Sequence, residues 1–114
     1  MSTENRAFQI DLLQGLTKGP ASEGNLAIPI FSHGSLEAEL YTPKGEDRQS
    51  PHSRDEIYVV IRGTGVFFDG ERRAAVEPGC FIFVPAEQIH RFEEFSEDLA
   101  VWVFFYGPEG GEHE

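Results

Sequence analysis

The chain has 114 residues, enough for one domain around a single core and too few for a catalytic domain joined to a regulatory one. Twenty acidic against nine basic residues give a net charge of -11, which repels phosphate backbones and anionic lipid, so neither nucleic acid nor a membrane is an expected partner. Cys80 is the single cysteine, which excludes an intrachain disulfide and a cysteine-based zinc cluster.

Met1 to Pro20 carries Glu4, Asp11 and other polar residues where a secretory signal needs an unbroken apolar stretch, so the expected compartment is the cytoplasm. Phe8 to Leu16 reads as a short helix or an irregular strand. Beyond it, Gly, Pro and Asp divide the chain into short β-favouring runs: Leu26 to Phe31, Leu36 to Tyr41, Glu56 to Arg62, Gly65 to Phe68, Arg72 to Val76, Phe81 to Val84, Ile89 to Phe92 and Ala100 to Tyr106. Short strands at such spacing predict an all-β sandwich or barrel. Asp69-Gly70 supplies positive-φ residues for a two-residue hairpin over Gly65 to Val76. Glu77-Pro78-Gly79 suits a type II turn into the next strand. Cys80 opens that strand as a small buried hydrophobe and is assigned no chemistry.

Alternation along Glu56 to Arg62 sends Glu56, Tyr58 and Val60 to one face and Ile57, Val59 and Ile61 to the other. The aliphatic triplet predicts a packed layer, leaving Glu56 and Tyr58 to face a lined cavity where a carboxylate needs a cation or several donors. Val101 to Tyr106 is apolar on both faces, which predicts cover on both sides, with a dimer contact as one source. The tail from Gly107 is small and acidic and is expected to be mobile, with His113 solvated between two glutamates.

Two imidazoles and one carboxylate, His52, His90 and Glu56, make a set that can hold a divalent cation and leave coordination positions open. On a straight strand His52 and Glu56 would stand about 13 Å apart at about 3.3 Å per residue. The chain must therefore turn between them, and Pro51, Ser53 and Asp55 are suitable turn residues.

Glu56 and Gly63 match E-x6-G, and Gly79, Pro85 and His90 match G-x5-P-x-G-x2-H. On these spacings the chain resembles the cupin superfamily, whose full motifs are G-x5-H-x-H-x3or4-E-x6-G and G-x5-P-x-G-x2-H-x3-N. The resemblance runs over Leu36 to Tyr106 and implies a cupin-type jelly-roll β-barrel in one domain. Residues 1–35 would then form an N-terminal segment leading into a barrel core at 36–106, followed by the tail at 107–114. It also implies a homodimer and a metal held by His52, Glu56 and His90.

Departures from the motif stand at defined places. Anchored on Glu56, Ser50 occupies the first histidine position; with a two-residue deletion in the turn, Arg54 replaces the second. Glu87 stands at a motif glycine and Glu94 at the asparagine, and either of them, or Gln88, could offer a compensating oxygen. The three-ligand set resembles the two-histidine, one-carboxylate arrangement of non-haem Fe(II) sites, and zinc, manganese or nickel would also fit. Tyr58 and Arg54 are the expected catalytic side chains, Arg54 through a substrate carboxylate or enolate unless it pairs with Asp55 or a surface glutamate. The expected function is a metal-dependent oxygenase or isomerase of a small organic substrate, the alternative a non-enzymatic small-ligand-binding module with a lost or purely structural metal site. A metal-free sugar-modifying cupin would need a histidine base, an acid and a tyrosine together at a sugar.

Overall fold

The computed structural model describes residues 6–19 and 27–113. Among these, one helix, α1 (Leu12–Leu16), precedes eight strands: β1 (Ala27–His33), β2 (Leu36–Tyr41), β3 (Asp55–Arg62), β4 (Gly65–Phe68), β5 (Arg73–Val76), β6 (Phe81–Val84), β7 (Arg91–Glu93) and β8 (Ala100–Tyr106). Leu26, expected to open the first strand, lies outside the described residues. The helix begins at a capping box, in which the Asp11 carboxylate accepts from the Gln14 N–H and the Gln14 side chain accepts from the Asp11 N–H. No helix among the described residues is long and apolar enough to cross a membrane.

The strands form two antiparallel sheets, one ordered β1-β2-β8-β3-β6 and the other β5-β4-β7. Their non-sequential order is the jelly-roll arrangement. The layers enclose one principal core from the inward residues of both sheets: Tyr58 and Val60 on β3, Val101 and Val103 on β8, Phe67 on β4 and Phe92 on β7. A smaller cluster of Ile28, Leu40 and Ala100 lies on the outer face of the larger sheet, where Leu12 and Leu16 of α1 cover it. β1 pairs along β2 as a full member of that sheet, so the sheet begins before residue 36.

Three expectations are revised by packing. On β3 the buried face is the one carrying Glu56, Tyr58 and Val60, whereas Ile57, Val59 and Ile61 are half-buried on the outer face. The core is thus built around Tyr58, and the cavity opens from the core face itself. Strand β8 is apolar on both faces because it lies in mid-sheet: Val101 and Val103 enter the core, while Ala100 and Trp102 meet the cluster under α1. That cover comes from the chain itself. The segment after β8 also folds back: Gly111 is buried, the Gly110 N–H donates to the Ser53 carbonyl, and the Glu112 N–H donates to Asp55 Oδ2. The composition of the tail alone suggests a free segment; Asp55 supplies an acceptor for Glu112, while His113 is exposed.

Turn chemistry sets the register. Phe68 pairs with Arg73 and the Asp69 N–H donates to the Arg72 carbonyl, so the hairpin loop is Gly70-Glu71, one residue later than the dipeptide alone suggests. Asp69 Oδ1 accepts from the N–H groups of Glu71 and Arg72, which fixes Asp69 before the loop and puts positive φ on Gly70. The Glu77-to-Cys80 turn is type II, with φ +97° at Gly79 and a Cys80 N–H to Glu77 carbonyl bond.

Gly63, the motif glycine closing β3, has φ +83°, and a Cβ there would stand 2.7 Å from Leu99 Cα and 2.6 Å from Ser96 Oγ. Gly63→Ala combines a left-handed alanine with overpacking against backbone, and a loss on the order of 3 kcal/mol is expected. Urea unfolding checks it: the midpoint should fall at constant m-value. An unchanged midpoint would show that the Ser96-to-Leu99 turn yields at little cost.

Candidate metal centre

Glu56 and Tyr58 face inward because both lie on the core face of β3. Glu56 is 1 % exposed, and a carboxylate so buried is tolerated only with charged or donor partners. A bend at Ser53-Arg54 returns His52 to Glu56, with His52 Nε2 3.9 Å from Glu56 Oε1, so the turn required by the sequence is present. His90 arrives on the segment between β6 and β7, its ring buried and Nε2 3.1 Å from Glu56 Oε1. The two segments are tied by the Glu87 N–H, which donates to the His52 carbonyl at 2.6 Å. Ligand atoms of His52, Glu56 and His90 all lie within 4.8 Å of one another.

Hydrogen-bond roles show that the cluster suits a cation. His90 Nδ1 is 2.9 Å from the Gln88 carbonyl, which can only accept, so Nδ1 carries a proton. The neutral ring therefore turns a bare Nε2 lone pair toward Glu56 Oε1, an oxygen that itself accepts no hydrogen bond. A lone pair facing a buried carboxylate calls for positive charge between them, supplied by a second ring proton or a metal ion. A backbone carbonyl on the far ring nitrogen is also the common way to orient a metal-binding histidine.

The environment pulls the two histidines apart. Burial lowers the His52 pKa, more than the Glu56 carboxylate raises it, which favours the neutral ligand form. Burial likewise opposes the charged form of His90, but the Glu56 carboxylate and Gln88 carbonyl outweigh it and the net direction is up. Tyr58, 1 % exposed, is held well above the usual phenol range by burial and the Glu56 charge. It keeps its proton and donates to Gln49 Oε1 at 3.0 Å, while its oxygen lies 3.1 Å from His90 Nε2.

His52, Glu56 and Tyr58 line a cavity of about 410 Å³ bounded also by Glu39, Tyr41, Arg48 and Phe105, while His90 is buried beside Glu56 and does not line it. Glu39 and Tyr58 share an inward row, since both pair with Val103 of β8. Burial, then the neighbouring charges of Glu37 and Glu56, raises the Glu39 pKa. Behind the lining residues Tyr41 and Gln49, buried Asp47 accepts from Tyr41 Oη, Gln49 Nε2 and the Phe92 N–H.

Of the residues singled out in the sequence, His52, Glu56, His90 and Tyr58 come together and Arg54 does not. Its guanidinium donates to the Gly107 and Ser35 carbonyls and pairs with Glu37, because the bend that brings His52 inward sends the next-but-one side chain outward. Glu87 and Glu94 are exposed at positive φ, and the Gln88 side chain donates to the Asp69 carbonyl, so none of the three joins the cluster. Sequence reasoning missed Asp47, Gln49 and Glu39. The one available signal was the position of Gln49, next to Ser50 where the motif lacks its first histidine.

Residues 39–106 match the family model of the cupin domain. An uncharacterised protein of Streptomyces coelicolor is 41 % identical over 106 residues, covering 91 % of this chain and 98 % of that one. A glucose-6-phosphate isomerase of Pyrococcus abyssi is 28 % identical over 92 residues, covering 76 % of this chain but 48 % of the isomerase, about half its length. Among solved structures, a cupin 2 conserved barrel domain protein from Salinispora arenicola superposes with a TM-score of 0.67 at 13 % identity, over 90 % of this chain and 91 % of that one. A cupin superfamily protein from Desulfitobacterium hafniense gives 0.63 at 14 % identity, over 88 % and 93 %. With the jelly-roll topology, the two motif halves meeting at Glu56 and His90, and a family match over more than half its length, the chain belongs to the cupin family.

Proposed function

We propose that this cupin binds one divalent transition metal through His52, Glu56 and His90 and uses it to act on a small organic molecule in the adjoining cavity. The observation that carries the reading is the buried Glu56 oxygen, free of hydrogen bonds and facing a histidine whose outer nitrogen is already committed to a carbonyl. A cation there would supply Lewis acidity and open positions for a substrate oxygen. The protein's part is to exclude water and orient the ligand. Tyr58 offers a hydroxyl that stays protonated at neutral pH, and Glu39, with its carboxyl held above the ordinary range, suits proton transfer at the cavity wall.

Isomerase chemistry is favoured over oxygenation by the likeness to the Pyrococcus protein. A phosphorylated substrate is disfavoured by charge, since Glu39, Glu46 and Glu56 bound the cavity against Arg48 as its one basic side chain among the described residues. A neutral hydroxy-carbonyl compound fits that balance better. The second reading, a non-catalytic ligand-binding module, draws on Ser50 at the vacant histidine position; it requires equal ligand binding with and without metal.

The protein is further proposed to be a homodimer. β6 ends the larger sheet, and Phe81 and Phe83 on it are 66 % and 52 % exposed beside Ile57 and Val59 of β3. A second copy pairing through this face would cover an apolar strip on an unpaired edge.

Elemental analysis of protein purified without chelator should find about one transition metal per chain, and His52→Ala or His90→Ala should abolish it. A well-folded wild type without metal would end the metal reading. Sedimentation should show a dimer that Phe83→Glu dissociates; a wild-type monomer would refute the assembly. Because Glu39 has its folded pKa raised, its ionisation opposes folding above that pKa, and stability is recovered as pH falls through it. Glu39→Gln should raise thermal stability at pH 7, by less than about 1 kcal/mol for a half-buried, partly screened group. Wild type and variant should converge near pH 4; a constant difference would show that Glu39 ionises freely.

A further inference from the structure

We propose that the side-chain oxygen of Gln49 is the fourth protein donor of the metal site, in place of the motif histidine that this chain lacks. The inference rests on the metal reading above and adds a ligand that the motif does not contain. Gln49 Oε1 accepts at 3.1 Å from His52 Nε2, whose proton a cation would displace, and at 3.0 Å from the Tyr58 hydroxyl, and that hydroxyl is 3.1 Å from His90 Nε2. The amide oxygen therefore borders the same point on which both imidazoles and Glu56 converge. Donors bound to one cation at about 2.1 Å stand roughly 3 Å from their nearest neighbours; Gln49 Oε1 to His52 Nε2 and Glu56 Oε1 to His90 Nε2 are both 3.1 Å, and His52 Nε2 to Glu56 Oε1, at 3.9 Å, would close on binding.

The amide can face only one way. Gln49 Nε2 donates at 2.8 Å to Asp47 Oδ2, a buried carboxylate that also accepts from the Phe92 N–H at 2.8 Å. Turning the amide over would set its carbonyl against that carboxylate and withdraw the acceptor from Tyr58. Asp47 is in turn held by the Tyr41 hydroxyl. Tyr41, Asp47 and Gln49 thus form a relay that aims a carbonyl oxygen inward, as outer-shell partners aim metal ligands elsewhere.

Neither alignment of the incomplete motif supplies a replacement. Ser50 is exposed, and Arg54 is turned out to Glu37 and Ser35. One residue before Ser50, the longer Gln49 side chain reaches the centre from the loop between β2 and β3. The donor set changes from three nitrogens and one oxygen to two of each, a harder set that moves preference toward Mn(II) and Fe(II) relative to a three-histidine site.

The test is titration of the metal-free protein with Co(II), read by its visible absorption, in wild type, Gln49→Ala and Ser50→Ala, with Zn(II) added to wild type labelled with 13C. Loss of one donor should weaken Co(II) binding in Gln49→Ala by about tenfold or more and alter the band pattern, leaving Ser50→Ala as wild type. In wild type, saturation with Zn(II) should move the Gln49 carboxamide carbon resonance, a readout that requires no folded variant. Gln49→Ala with unchanged affinity and spectrum, or a carboxamide carbon unmoved at saturation, overturns the assignment while leaving the three-ligand site intact. Wild type that takes up neither metal overturns both.

Discussion

A carboxylate buried among aromatic rings is the constraint to which the rest of this molecule answers. Glu56 lies on the core face of β3, one row from Tyr58, and its removal from water is unfavourable unless positive charge or donors compensate. Two imidazoles are brought to it from opposite directions, one by a bend before the strand and one by the segment after β6. Each is fixed by hydrogen bonds that serve the cluster: the Glu87 N–H on the His52 carbonyl, and the Gln88 carbonyl on His90. A proton shared in this cluster would satisfy it in part; a metal ion would satisfy Glu56 and both histidines together.

The loop between β2 and β3 carries the second layer of that solution. Asp47 is as deeply enclosed as the core aliphatics and yet bears three donors, so its charge is accommodated by polar contacts alone. Its position joins the loop to β7 through Phe92 and to β2 through Tyr41. That junction is why a segment without regular secondary structure can hold a side chain against the site, where preorganisation is what distinguishes a binding centre from a polar pocket. Glu39 and Tyr41 of β2 line the cavity, and Tyr41 also packs against the core.

The motif departures acquire physical meaning in this frame. Glu87 occupies a place where a glycine would be unstrained, at φ +70°, and the conformation persists because its N–H is committed to His52. Arg54, which on paper competes for the missing ligand position, instead joins Ser35, Glu37 and the start of the C-terminal segment. It acts as a clasp across the end of the larger sheet. Asp55 does the same from the next residue, accepting from Ala86 and Glu112. The residues flanking the site thus serve to hold its walls.

Local rules account for the strand pattern, for the Glu77-to-Cys80 turn and for His52, Glu56 and His90 as a set: alternation at period two, glycine and proline at turn positions, and motif spacing. Leu36–Tyr41, Gly65–Phe68, Phe81–Val84 and Ala100–Tyr106 are bounded as the pattern predicts. Other features were settled by distant partners. Which face of β3 is interior depends on the sheet opposite, and the double burial of β8 depends on α1. The direction of Arg54 depends on carbonyls at Ser35 and Gly107, and the reach of Gln49 on a carboxylate that is itself fixed by Tyr41 and Phe92. A one-dimensional pattern records which side chains are available, but a long polar side chain takes its direction from the donor or acceptor it meets, and that partner is chosen by the fold.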